Sequence, residues 1–265
     1  MPKPKRTKSE LDAKRPGPEF IESLDRGLRV IEVFGIGPRP MTLSDVAKAA
    51  GLPRATARRI LFTLAQRGFV EAGDKFFALT PQVLRLAAAW LSSSQLVSVL
   101  QPALDRLSNE AQEISSLAIL DGDEVVFVAR ASPARVFSAG VDIGYRLPAF
   151  CTAVGRILLG RLTQDELAST IGAMKLTALT PSTVTNRKSL LTTIAADRSN
   201  GYSLVDREAE PGFRSISVPV CRHDGAIVAA MNIGAHVDRI SRDEMIERFL
   251  PLLRNAAESV RPLML

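Results

Sequence analysis

The stretch TLSDVAKAAGLPRATARRILFTLAQRGFV, residues 42–70, decides the fold of the N-terminal part of the chain. Thr42 followed three residues later by Asp45 is a capping-box pattern that starts a helix. Leu43, Val46, Ala47 and Ala50 then recur at i, i+3, i+4 and i+7, one buried face. Gly51 follows as a residue able to take positive φ and reverse the chain. Pro53 fits the first position of a second helix, where its missing N–H costs nothing. Ala57, Ile60, Leu61 and Leu64 form the second buried stripe. Helix, tight turn and helix in this order predict a helix-turn-helix, whose second helix enters the DNA major groove.

A helical wheel turns Ala55, Arg58, Arg59 and Gln66 away from the second stripe, with Thr56 at its side and Arg54 in the first turn. Arg54, Ala55, Thr56, Arg58 and Arg59 are therefore candidate DNA-binding residues. An arginine can pair bidentately with guanine O6 and N7. Lys48 and Arg67, nearer the flanks, are placed to touch backbone. Phe69–Glu71 and Phe76–Leu79 read as two short strands around Ala72-Gly73-Asp74-Lys75, a hairpin "wing". Lys75 at its tip is a candidate contact to a phosphate or the minor groove. Upstream, Leu24, Leu28, Ile31 and Phe34 mark a further amphipathic helix, with Ser23 as its expected cap. Residues 20–80 thus read as a winged helix-turn-helix domain. A basic helix face can also be merely solvated; the wing and the charge distribution favour double-stranded DNA as partner.

Of the 265 residues, the first 94 hold 16 Lys+Arg against 9 Asp+Glu, and the remainder hold 18 against 19. The formal excess of +6 therefore belongs entirely to the N-terminal part. A basic domain on a near-neutral body suits a polyanion reader. Residues 1–19 carry part of that charge without an apolar face and read as a disordered basic tail. No secretory h-region and no membrane-length apolar run is present, so a cytoplasmic protein with no membrane partner is expected. Cys151 and Cys221 lack CxxC spacing and are expected as free thiols.

Residues 81–113 read as linker and dimerisation helices. The first, over 80–93 with Thr80 as cap, carries Val83, Leu84, Ala87, Ala88, Trp90 and Leu91. Two readings stand for it: a dimer contact, or packing on the chain's own C-terminal domain. From 114 to 262 the pattern becomes α+β. Ser115–Leu120 and Glu124–Ala131 are strands joined by Asp121-Gly122-Asp123, and Val136–Val141 is a third candidate. Thr152–Leu162, Asp165–Gly172 and Arg187–Asn200 read as helices. Tyr202–Val205, Ser215–Cys221 and Ile227–Ile233 return to strands, and a helix over 241–260 closes the domain, capped by Ser241. Strand pairs with helices on one side of the sheet are expected.

No nucleophile elbow, P-loop, GxGxxG or HExxH occurs, so no catalytic or metal-binding residue and no cofactor is assigned. His223 and His236 read as loop residues. Two segments stand out instead. Residues 144–156, GYRLPAFCTAVGR, place small residues at a helix start. That pattern serves either an anion on free N–H groups or a tight helix–sheet crossing. Residues 206–217, DREAEPGFRSIS, form a charged loop entering an apolar strand; a solvated loop is the plain alternative. An arginine can clamp a carboxylate bidentately, which makes Arg146 and Arg214 candidates, with Thr152 as a hydroxyl donor.

Taken together these pieces resemble the IclR family of transcriptional regulators over about residues 20–262. The carriers are Ser23-Leu24-Asp25-Arg26-Gly27-Leu28, the winged helix-turn-helix, Leu147-Pro148 before Thr152–Arg156, and Gly201-Tyr202 leading through Asp206 and Glu208 to Gly212. Ser217-Val218-Pro219-Val220 and Ala229–Ile233 complete them. Residues 146–152 and 212–220 are most similar to the Pca/Pob subgroup, regulators of aromatic-acid breakdown through the β-ketoadipate pathway. The resemblance implies a GAF-like α/β effector-binding domain, a homodimer or dimer of dimers (a tetramer), a pseudo-palindromic operator, and a small organic acid as effector. It also implies pocket residues at Ala153, Val154, Ser215, Asn232 and Gly234. The family's acidic pocket position falls at Val205 or Asp206. Two rival readings are an enzyme and a constitutive dimerisation module, each with an appended DNA-binding domain.

Overall fold

Thr42 starts a helix as its spacing predicts. Its hydroxyl accepts from the Asp45 N–H at 3.2 Å, and the Asp45 carboxylate accepts from the Thr42 N–H at 2.9 Å. Two backbone donors at the helix end are thereby satisfied, and the Thr42 hydrogen bonds hold the Asp45 carboxyl below its ordinary range. The computed structural model describes residues 17, 19–35, 40–93, 95–133 and 142–264. The expected tail over 1–19 and the candidate strand over 136–141 fall almost wholly outside them. The chain divides into two compact units, residues 1–91 and 92–265.

The first unit contains α1 (Glu22–Glu32), β1 (Met41–Thr42), α2 (Leu43–Ala49), α3 (Arg54–Gln66), β2 (Val70–Ala72) and β3 (Phe76–Leu79). Gly51 turns the chain between α2 and α3 at φ +64°, a conformation that favours glycine. Pro53 is the N-cap of α3 rather than its first helical residue, and its extended ψ sets the entry angle. The wing forms as β2 and β3, and β1 pairs with β3 to give an antiparallel order β1-β3-β2. Val30, Phe34, Met41, Val46, Leu61 and Val70 close one core.

Two expectations for α1 fail. The helix begins at Glu22 with Ile21 at its N-cap, so Ser23 lies inside the first turn and caps nothing. The stripe is also rotated: Val30, Val33 and Phe34 are buried, whereas Leu24 and Leu28 are 58% and 50% exposed. The helix has two apolar faces, and packing selects the one that seats Phe34 against α2 and α3.

Thr80 caps a short 3-10 turn with its hydroxyl on the Gln82 N–H, and α4 (Leu84–Ser93) follows. The second unit then runs α5 (Gln95–Ala111), β4 (Ile114–Asp121), β5 (Glu124–Ala131), β6 (Arg146–Pro148), α6 (Ala153–Leu159), α7 (Gln164–Ala173) and α8 (Arg187–Asn200). It continues with β7 (Ser203–Asp206), β8 (Phe213–Cys221), β9 (Ile227–His236), the single turn α9 (Arg242–Glu244) and α10 (Leu250–Val260). Pro251 cannot donate a backbone bond, and a wider π turn over Met245–Phe249 separates α9 from α10.

The sheet is antiparallel with strand order β6-β5-β4-β9-β8-β7. Strand alternation sends Leu117, Ile216, Val218, Met231 and Ile233 to one face, where α5 and α10 cover them. Ala118, Phe127 and Ala230 point to the other, toward α6, α7 and α8. Helices therefore cover both faces, not one as the strand pairs implied. The short edge strand β6 carries no sequence alternation long enough to announce it.

The small residues of α6 follow from one close approach. A Cβ on Gly155 would lie 2.1 Å from the Ala149 carbonyl oxygen. The glycine is thus set by the 3-10 turn Ala149–Cys151 that precedes α6, and not by a helix–sheet crossing.

Candidate functional site

Two surfaces carry the candidate chemistry, one in each unit. On α3 the core takes Ala57 and Leu61, and the opposite side leaves Arg54, Ala55, Arg58, Arg59 and Gln66 exposed, with Thr56 half-buried at the edge. Lys75 is exposed in the wing turn. Among the described residues none of Arg54, Arg58, Arg59 or Lys75 has a carboxylate within ion-pair distance, whereas Arg26 and Arg29 on α1 pair with Glu22 and Asp25. The reading helix thus presents uncompensated positive charge on a rod of groove width.

In the second unit a cavity of about 510 Å³ lies against the sheet face that α6 covers. Its floor is a row set by strand register. Arg130 on β5 faces Ser116 on β4, Ser116 faces Asn232 on β9, and Asn232 faces Ser217 on β8. Residues paired this way share a sheet face, so one polar row crosses otherwise apolar ground. The Asn232 amide nitrogen donates to Ser215 Oγ at 2.8 Å. Its amide oxygen is buried with no partner among the described residues. Phe127, Tyr145, Leu147 and Phe213 supply apolar and aromatic wall. Phe213 packs over Gly234, where a Cβ would come within 2.5 Å of the ring.

Thr152, Ala153 and Val154 line the cavity as expected, as do Ser215, Asn232 and Gly234. Thr152 Oγ1 already accepts from the Gly155 N–H at 3.1 Å, and α6 is only seven residues long, so the short helix adds little field.

Two expected residues, Arg146 and Asp206, are placed elsewhere, and a third, Arg214, lines the cavity with its guanidinium already engaged. Arg146 is 41% exposed on the edge strand and holds Asp121 and Glu124 at 2.7 Å each. Those hydrogen bonds raise its pKa and commit it to the hairpin end. Arg214 alternates with Ser215 along β8, and both reach the cavity wall. The Arg214 Nε and Nη2 reach Asp206 at 3.2 and 3.1 Å and its Nη1 reaches the Ile240 carbonyl at 2.8 Å. Asp206 is therefore an ion-pair partner and is absent from the cavity wall, whereas Val205 is on it.

The loop after β7 is anchored. Arg207 takes a left-handed φ of +62°, and Glu208 turns inward to meet Arg156 at 2.8 Å. Both side chains are under a tenth exposed. Glu208 also accepts from the Val184 N–H at 3.0 Å, and Arg156 Nε donates to the Phe150 carbonyl at 3.0 Å. Thr180 and Thr183 donate their hydroxyls to the Arg207 and Glu208 carbonyls at 2.6 Å. The two charges are paired and further hydrogen-bonded, the condition under which a buried ion pair is tolerable. Glu208, Ala209 and Glu210 form one side of the cavity.

Sequence reasoning missed Arg130, Ser116 and the Glu113–Arg239 pair at the cavity wall. Arg239 holds Glu113 at 2.5 Å; burial pushes the Glu113 carboxyl up against the opposing pull of Arg239. The one thiol on the wall, Cys151, is pushed up to about 12 by burial, so it is protonated and unreactive at neutral pH. No group of three or more His, Cys, Asp or Glu able to hold a metal ion occurs among the described residues. No helix among them is long and apolar enough to cross a membrane. The cavity wall offers neutral polar groups and three arginines that each face an acid, Arg130 with Asp142 at 3.4 Å among them.

Comparison with known proteins gives two family matches. Residues 23–74 match the IclR helix-turn-helix domain, and residues 88–261 match the C-terminal domain of bacterial transcriptional regulators of the IclR type. The Pca regulon regulatory protein of Pseudomonas putida is 39% identical over 92% of this chain and 84% of its own length. A crystal structure of a transcriptional regulator from Rhodococcus sp. RHA1 covers 92% of this chain and 98% of its own, with 42% identity and a TM-score of 0.81. The inducer-binding domain of the PobR transcription factor from Acinetobacter, a double mutant in complex with 3-hydroxybenzoic acid, covers 64% of this chain and 99% of its own. Its identity is 36% and its TM-score 0.61.

Proposed function

This chain belongs to the IclR family of bacterial transcriptional regulators, and from that premise we propose that its C-terminal cavity takes a hydroxylated aromatic acid whose binding changes how α3 engages an operator. The observation that carries the effector class is Asn232. One amide atom bonds Ser215, and the other, buried in the cavity floor, has no partner among the described residues and can accept from a ligand hydroxyl. Arg130 sits two strand spacings away on the same face, roughly 10 Å between backbones. A flat ring with a carboxylate toward Arg130 and a hydroxyl toward Asn232 suits that row and the aromatic walls. A linear dicarboxylate such as β-ketoadipate would want a second cation. Arg130, Arg214 and Arg239, the arginines of the wall, each face an acid, Asp142 at 3.4 Å, Asp206 at 3.1 Å and Glu113 at 2.5 Å, and the Arg130 contact is the longest of the three. The PobR inducer-binding domain, solved with 3-hydroxybenzoic acid, favours the same class.

For the DNA, Arg54, Ala55, Thr56, Arg58 and Arg59 read the major groove and Lys75 touches the flanking backbone. Leu84 and Leu86, exposed along α4, support a homodimer or dimer of dimers on a pseudo-palindromic site, acting in the cytoplasm. The effector acts without turnover, by binding one arrangement of the protein better than another.

A thermal-shift series on the intact protein tests the effector class. The expected order is 4-hydroxybenzoate or protocatechuate above benzoate, with adipate and β-ketoadipate weakest, and Asn232→Ala erasing the preference for the hydroxyl. A melting shift larger for the linear diacids than for any ring acid would overturn it.

A further inference from the structure

The reading helix carries one side chain that the charge argument leaves unexplained. Phe62 on α3 is 66% exposed, more than any other large apolar side chain among the described residues. At 100° per residue it falls between Arg58 and Arg59 on the outward face, in line with Ala55 and Gln66. Burial of a phenylalanine stabilises a fold, and a polar side chain would serve a solvated helix face better. The core is complete without it: Ala57 and Leu61 are fully buried on the far side.

The surroundings say what covers it. Arg58 and Arg59, one turn earlier, have no carboxylate partner among the described residues, and both are exposed. A second apolar protein surface laid on Phe62 would strip water from these guanidiniums and leave them unpaired. A duplex lays phosphates and guanine edges beside them instead. The apolar group that the major groove offers is the C5-methyl of thymine, and phenylalanine is among the side chains that contact it.

We propose that Phe62 is a specificity-determining residue that packs on a thymine methyl in each operator half-site. Phe62 lies four residues beyond Arg58, about 6 Å along the helix at 1.5 Å per residue. That advance equals one to two base-pair steps of roughly 3.4 Å. The methyl therefore belongs to a thymine one to two base pairs from the position Arg58 reads. This inference rests on DNA reading by α3 and adds to it a base preference at a position no arginine sets.

The test uses the intact protein and a duplex that the wild-type chain selects from a random pool, with and without 4-hydroxybenzoate. Each thymine of the selected duplex is then replaced by deoxyuridine, which removes the methyl and keeps the base pair. One position per half-site is expected to weaken wild-type binding about fourfold, the equivalent of ~0.8 kcal/mol for one buried methyl-sized group. Phe62→Ala binds the thymine duplex correspondingly less well and no longer distinguishes thymine from uracil there. Restoring the methyl on a cytosine at that step, as 5-methylcytosine, recovers part of the loss for wild type alone. If no thymine-to-uracil change depends on Phe62 while a duplex is still selected, this inference fails and the DNA reading survives. A Phe62→Ala protein with unchanged DNA binding and altered assembly in sedimentation also overturns it, in favour of a protein contact. Failure to select any duplex under either condition would remove the DNA reading and this inference with it.

Discussion

The two units handle arginine in opposite ways. On α3 the guanidiniums of Arg54, Arg58 and Arg59 stand in solvent with no carboxylate beside them among the described residues. In the C-terminal unit Arg146, Arg156, Arg214 and Arg239 each hold an acid at 2.5 to 3.1 Å. A charge left uncompensated at the surface is cheap in water and available to a polyanion, and its binding strengthens as counterions are released. A charge taken inside must be matched at once, because low dielectric makes an orphan expensive. The same residue type is thus a reader in one unit and a fastener in the other. Its partners tell which, not its position in a motif.

The hardest blow to this contrast is aimed at the smaller core. Leu61→Ala empties a fully buried site under α3 and is expected to cost about 2–5 kcal/mol. Gel shifts should vanish while the effector-induced melting shift of the C-terminal unit persists; loss of both would mean that the units do not fold separately. Next in size, Arg58→Ala should weaken operator binding by about 1–3 kcal/mol with effector affinity unchanged in calorimetry. Equal loss on both readouts would refute the division of roles.

Thr42→Ala removes the cap of α2 and should lower stability by about 1 kcal/mol, visible as an earlier first transition in thermal unfolding. Smallest is a pH effect at Glu113. Burial raises its folded-state pKa above the ordinary 4.5, so the folded chain binds more protons than the unfolded one just above that pH. Stability from this group is then largest below pH 4.5 and declines as pH rises through the window above it. Glu113→Gln should therefore gain on wild type in urea midpoints as pH is raised from 4.5 to 7. A constant difference across that range would show that the carboxyl titrates normally.

Legibility in sequence also divides along the chain. The helix-turn-helix could be read because its signals are local: Thr42 and Asp45, Gly51 and Pro53 act within a turn of where they stand. Helix α1 defeated the pattern because it offers two apolar faces, and only the arrival of α2 and α3 decides that Val30 and Phe34 go in while Leu24 and Leu28 stay out. In the cavity the strand residues Ser215, Asn232 and Gly234 were legible from the resemblance. Arg130 was not, because its place in the row depends on pairing with Ser116, a register no short window reveals. Glu208 meets Arg156 across 52 positions of sequence, and only the folded chain brings them together.

Gly155 has a consequence for how such a regulator diverges. With the Ala149 carbonyl 2.1 Å from where any Cβ would stand, any larger side chain at that corner forces the turn before α6 out of place, next to Ala153 and Val154 on the cavity wall. A changed inducer preference is then expected from wall positions without that constraint, Phe127, Tyr145, Leu147 and Ser116 among them.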